Sequence, residues 1–198
     1  MKSPNYKKAT NAAYVTLLGL AHTRFSTDVL AVIDEMLPNC RAMTYGQACF
    51  LCGYDRSTLE SASEYGFSLV RGRKRIILYN ELVPMGCARF TLAHEIGHAV
   101  LEHKNEEDDS AEKEANCFAR NLLCPVPVAD LLGINTWEDY TRVFDVSPKA
   151  ARIALEWGNS DRFYIEPQSG NELWERAEAY ILGYDNPDEY YYKMAASL

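Results

Sequence analysis

Histidine is scarce in this chain, four in 198 residues. That scarcity makes any histidine cluster informative. No apolar run approaches the roughly 18 residues of a membrane-spanning helix, so a spanning segment is excluded at the outset. Positive charge is also short, 20 Lys and Arg against 28 Asp and Glu for a net charge of −8. An overall attraction to nucleic acid or to an anionic membrane therefore has the wrong sign, and no membrane partner and no direct nucleic-acid partner are expected. No internal repeat is visible, which excludes solenoid and propeller arrays. The six cysteines lack a second CxxC pair to complete a zinc ribbon around Cys49 and Cys52, "CFLC". In a core-rich chain of this length they read as free, mostly buried thiols, with the CxxC pair structural.

What is present is an ordinary globular composition, 47% hydrophobic and 24% charged, long enough to bury a core. "AAYVTLLGLA", Ala12 to Ala21, reads as part of a first helix from about Ala9 rather than as a signal peptide, because no small-residue cleavage site follows it. A second helix is expected from Thr27 to Met36, capped by Ser26 and stopped by Pro38. A short strand follows at Arg41 to Tyr45, then a helix near Ser57 to Tyr65. Phe67 to Arg71 and Arg75 to Tyr79 form a β-hairpin about Gly72. Its turn, "RGRKR", is basic and reads either as solvated or as a patch for acidic substrate or nucleic acid.

Helical patterning then resumes after Pro84 and Gly86 and runs to about His103, followed by the charged connector Lys104 to Ser110. A helix from Ala111 to Leu123, capped by Asp109 or Ser110, is ended by Pro125 and Pro127. Helices at Thr136 to Phe144 and Ser147 to Trp157 come next, then a loop, then a helical stretch, "NELWERAEAYILGY". The tyrosine-rich end, "DEYYYKM", is expected to dock as a helix.

Three of the four histidines fall in "RFTLAHEIGHAVLEH", Arg89 to His103. HExxH on a helix stacks His94 and His98 on one face, where both imidazoles can reach one Zn²⁺ at about 2.0 to 2.1 Å. Glu95, one step round, projects beside the metal as a general base. Two local candidates for a third ligand drop out. His103, on a continuing helix, lies about 180° from His94 and reads as an exposed residue at the helix C-terminus. Glu102 lies about 12 Å from His94 along the axis. The next helix, "SAEKEANCFARNLLCP", offers Glu112 and Glu114, both on the flanks of its apolar face, and helical geometry leaves the choice open.

Together, "RFTLAHEIGHAVLEH" and "EKEANCFARNLLCP" resemble the ImmA/IrrE family of zinc metallopeptidases. The likeness is close from Arg89 to Pro125 and weaker through "ILYN" and "FDVSPKAARIALEWG". It departs at Cys124, where the family commonly carries Met. The resemblance implies an HExxH-plus-Glu, gluzincin-like peptidase: His94, His98 and Glu114 as ligands to one Zn²⁺, and Glu95 as catalytic base. Asn116 is a candidate for orienting a ligand. Tyr65, Tyr79, Arg89 and His103 are oxyanion donors by residue type only, and none is assigned.

The expected fold is α+β, mostly helical, with a small antiparallel sheet packed on the HExxH helix. The expected division is a peptidase domain over 1–125, a helix-turn-helix-like extension over 126–160 and a C-terminal helix or tail over 161–198. The family resemblance implies a cytoplasmic enzyme that cleaves a helix-turn-helix repressor, in a mobile-element or stress-response pair. The alternative is a metal-binding module that docks or sequesters a repressor, or binds DNA, without proteolysis.

Overall fold

The computed structural model describes residues 3–104, 108–184, 187–189 and 195. Helix α1 (Tyr6–Gly19) opens where the Asn5 side chain accepts from Lys8 N–H, three residues before the expected start. Helix α2 (Val29–Met36) is capped by Asp28, which takes the N–H groups of both Leu30 and Ala31. Ser26 is not the cap because its hydroxyl accepts from Arg89.

Strand β1 (Cys40–Thr44) passes directly into α3 (Tyr45–Cys52), a helix the hydrophobic pattern does not announce. Its signal is a capping box: Thr44 Oγ1 accepts from Gln47 N–H and Gln47 Oε1 accepts from Thr44 N–H. Helix α4 (Arg56–Ala62) is capped by Asp55, and the hairpin follows as β2 (Gly66–Arg71) and β3 (Lys74–Tyr79). Gly72 takes the left-handed conformation, φ 62°, that its tight turn requires.

The sheet order is β1-β3-β2, with β2 antiparallel and β1 parallel to β3. The expected purely antiparallel sheet is thus a mixed one, because the chain leaves β1 through α3 and α4 and returns by way of β2. Both faces of the sheet are covered. Ile77 joins the main core, while its neighbour Leu78 packs on the other face with Tyr45, Ala48 and Leu59 of α3 and α4. The register places Ser68 beside Ile77, and Arg75 lies two residues from Ile77 on the same strand. Ser68 and Arg75 therefore share the face that looks at the next helix.

That helix is α5 (Met85–Val100), burying Ala88, Leu92, Ala93 and Ile96. Helix α6 (Asp109–Leu123) packs along it through Ala115, Phe118, Ala119 and Leu122. Gly97 permits the close approach: a Cβ there would lie 3.1 Å from Phe118 and 3.2 Å from the Ala115 backbone. Pro125 ends α6 as expected, and Pro127 then sits in the first turn of a further short helix, α7 (Val126–Leu131).

Helices α8 (Trp137–Phe144) and α9 (Pro148–Arg162) meet at Asp145, which is left-handed, and α9 carries the Ser147 cap and Pro148 start read from the sequence. It runs five residues past the expected end. Helix α10 (Pro167–Ile181) closes back on α1, where Arg176 donates to the carbonyls of Leu17, Leu18 and Leu20. One apolar core runs from Ala9 and Tyr14 through Leu92 and Phe118 to Phe144, Ala151, Leu173 and Ala177. The peptidase segment, the extension and α10 share it. No helix among the described residues is long and apolar enough to cross a membrane. Residues 105–107 of the charged connector and residues 190–194 of the tyrosine-rich end lie outside the described residues.

Candidate metal centre

Gly97 brings α6 against the face of α5 that carries the HExxH side chains. His94 Nε2 and His98 Nε2 lie 3.0 Å apart, one helical turn from each other. Glu112, in the first turn of α6, completes the group, with its carboxylate oxygens 3.5 Å from His94 Nε2 and 3.2 Å from His98 Nε2. These three residues offer donor atoms that all lie within 4.8 Å of one another. Tetrahedral ligands at zinc–nitrogen and zinc–oxygen distances stand roughly 3.3 Å apart, so this donor set fits one such ion. Two imidazoles and one carboxylate also suit zinc chemically and leave a fourth position open.

The third member differs from the residue that the resemblance implies. Glu114 is turned away from the histidine pair: its Oε1 accepts from Asn5 N–H at 2.8 Å and its Oε2 lies 3.1 Å from His103 Nε2. Two residues along a helix is a rotation of about 200°, so Glu112 and Glu114 leave α6 on nearly opposite sides. Asn116 carries the missed signal. Its Oδ1 lies 3.1 Å from His94 Nδ1, and Glu112 sits one turn earlier on the same stripe of α6.

His103 is likewise not the exposed residue that a continuing helix would make it. Helix α5 stops at Val100, and Glu102 takes a left-handed conformation, φ 57°. His103 N–H returns to the carbonyl of His98 at 3.1 Å, and Glu102 N–H returns to Ala99 at 3.3 Å. This pair of bonds is a Schellman closure, and it folds the His103 ring under α5 to within 3.0 Å, Nδ1 to Nδ1, of His98.

Glu95 is buried on the sheet side of α5. Ser68 Oγ donates to its Oε2 at 2.5 Å, and the Arg75 guanidinium lies 3.9 Å from the same oxygen. Neither Ser68 nor Arg75 stands out in the sequence. The available signal was strand alternation, which puts both on the face of Ile77. Arg75 thereby leaves the basic "RGRKR" turn, while Arg71, Arg73 and Lys74 stay exposed. Arg89, an oxyanion donor by residue type, is instead a buried clamp. Its guanidinium donates to Ser26 Oγ, Thr27 O, Asp145 O and the Asp145 carboxylate, tying α5 to the α8–α9 corner.

The electrostatics agree with the grouping. Burial pulls the His94 imidazole down, but the hydrogen bond and charge of Glu112, aided by Glu95 and Asn116, outweigh it and hold the ring above its usual range. The His94 contact in turn keeps the half-exposed Glu112 carboxylate below the ordinary range. Among the cysteines, Cys40, Cys117 and Cys124 are buried, Cys49 and Cys87 are half-buried, and Cys52 of the CxxC pair is exposed on α3. All six are free thiols, and burial pushes Cys124 up to about 12.

Beside the centre, a groove of about 570 Å³ runs between α5, α6 and α9. Phe90, Ile153, Trp157 and Tyr65 line it, and it reaches Asn116, the residue against His94.

No curated protein matches the chain. The family model described as the IrrE N-terminal-like domain of Peptidase M78 matches residues 56–156, just over half of the chain, and runs from the start of α4 into α9. With an HExxH helix and a grouped His94, His98 and Glu112 inside that match, the chain belongs to the IrrE-like M78 metallopeptidase family.

Proposed function

We propose that the protein is a zinc-dependent endopeptidase of the cytoplasm, that His94, His98 and Glu112 are its zinc ligands, and that its substrate is a helix-turn-helix transcriptional repressor. The observation that carries the catalytic part is the convergence of His94 Nε2, His98 Nε2 and the Glu112 carboxylate one residue from a buried glutamate. The repressor as substrate, the regulatory role and the cytoplasmic setting rest on the family resemblance.

When bound, zinc supplies a Lewis acid that polarises a peptide carbonyl and makes water acidic near neutral pH. Glu95 is the base: its carboxylate takes the proton of the attacking water and passes it to the leaving amine. Ser68 and Arg75 aim that carboxylate, since a donor on one oxygen and a guanidinium beside it restrict its rotation. Asn116 fixes the ring of His94. Strand β2 is an edge of the sheet and carries Ser68, so an extended peptide added to it would pass over Glu95. The neighbouring apolar groove can take substrate side chains.

The test is incubation of zinc-loaded protein with candidate helix-turn-helix repressors. Cleavage by wild type and not by Glu95→Gln is expected. A repressor that binds and stays intact would replace this proposal with sequestration. Direct DNA binding by the α8–α9 pair is disfavoured by the net charge of −8 and by Arg152, whose guanidinium is stacked 4.1 Å over the Trp137 ring.

A further inference from the structure

We propose that His103 and Glu114 are a positioning pair for the metal centre, holding the ring of His98 in the tautomer and orientation that metal binding needs. The inference rests on His94, His98 and Glu112 being the ligands, and it gives a role to the two residues which that assignment leaves over. The contacts form one line from the N-terminal helix to the metal face: Asn5 N–H to Glu114 Oε1 at 2.8 Å, Glu114 Oε2 to His103 Nε2 at 3.1 Å, and His103 Nδ1 to His98 Nδ1 at 3.0 Å. Water has little access along it, with the side chains of His98, His103 and Glu114 exposed by 2%, 10% and 9%.

The donors along this line assign one another. An ionised carboxylate only accepts, so Asn5 N–H donates to one Glu114 oxygen and His103 Nε2–H donates to the other. A neutral His103 then has a lone pair at Nδ1, which accepts from His98 Nδ1–H. That leaves the lone pair of His98 on Nε2, the atom that faces His94 Nε2 and Glu112. The opposite order would put a proton on His98 Nε2 and block it as a ligand. The chain thus orders one ligand ring from its far side, as a carboxylate does for a ligating histidine when it bonds the ring directly, here with a second imidazole interposed.

The backbone is shaped for this contact. His103 reaches His98 only because α5 ends three residues earlier and Glu102 adopts φ 57°, a conformation that non-glycine residues seldom take. Lys8 of α1 donates to the carbonyl of Leu101, so the N-terminal helix holds this turn at a second point.

The experiment measures zinc affinity of the full chain by competition with a chromophoric chelator, together with the visible absorption of the cobalt-substituted protein. His103→Ala and Glu114→Ala are expected to keep one metal per chain, to bind it about 10- to 100-fold more weakly and to shift the cobalt spectrum. Glu114→Gln, which keeps an acceptor and the side-chain shape, is expected to recover part of that loss. The double alanine variant is expected to be no weaker than either single variant, because both interrupt one line. Thermal unfolding of each metal-free variant checks that the fold survives.

Affinities within twofold of wild type in both alanine variants, or a Glu114→Ala protein that holds no metal while Glu112→Ala holds one, would overturn the inference. Failure of the underlying reading is seen elsewhere: a wild-type chain that takes up no zinc overturns the proposed function, and this pairing with it.

Discussion

The front and the rear of the α5–α6 contact are built from the same two residue types under opposite conditions. At the front, His94 Nε2, His98 Nε2 and the Glu112 carboxylate face one another within 3.0 to 3.5 Å, and Glu112 is 45% exposed. At the rear, His98 Nδ1, His103, Glu114 and Asn5 N–H lie in a buried line where donors and acceptors can alternate. A line of that kind satisfies itself. Converging lone pairs do not, and they call for a cation. Glu112 and Glu114, two residues apart on one helix, illustrate that difference: the same carboxylate completes a candidate metal site on one side and lies against His103 on the other.

The largest expected effect separates chemistry from binding at the front. Glu95→Gln should lower turnover of whichever repressor the wild type cleaves by about 10²- to 10⁴-fold, with one bound zinc retained on metal analysis. Loss of the metal along with activity would place Glu95 among the ligands. Glu112→Ala removes one of the proposed ligands. Taking the roughly 10 to 16 kcal/mol of a four-ligand zinc site as shared about equally, its zinc affinity should fall about 10²- to 10³-fold in a chelator competition.

A smaller effect tests the support on the sheet side. Ser68→Ala removes a hydrogen bond to a carboxylate of about 1.5 to 3 kcal/mol, so turnover should drop by up to about 10- to 100-fold with zinc affinity unchanged. A fall in zinc affinity would show that β2 acts on the metal side as well. The smallest effect belongs to the rear turn: Glu102→Gly relieves the left-handed strain and should raise stability by about 0.5 kcal/mol, read from denaturant unfolding. A destabilised variant would mean that the Glu102 side chain contributes more than its backbone costs.

Much of this centre is legible in the sequence because it depends on one helix at a time. His94, Glu95 and His98 follow from the period of α5, and the Ser147 cap and Pro148 start of α9 are local signals of the same kind. What is not legible depends on where two elements meet. The choice between Glu112 and Glu114 turns on how α6 crosses α5 at Gly97, which no single helical wheel contains. Asn116 on the stripe of Glu112 was the one clue, and it has force only once its contact with His94 is known.

The place of His103 is not legible because α5 ends before Glu102, a residue with no glycine-like preference for the left-handed turn that it makes. The parallel pairing of β1 with β3 was hidden for a related reason: a hairpin has a local turn, while a strand returning after two helices leaves no local mark. Helix α3 is different, since its Thr44 and Gln47 capping box stands in the sequence, but its apolar, cysteine-rich interior has no helical period to support it.

The most direct measurement is the zinc stoichiometry of Glu112→Ala and Glu114→Ala, prepared side by side and dialysed against the same weak chelator. Glu114→Ala is expected to retain about one zinc per chain and Glu112→Ala to retain little. Full zinc in Glu112→Ala with none in Glu114→Ala would contradict it, returning Glu114 to the metal and dissolving the distinction between the front and the rear of the site.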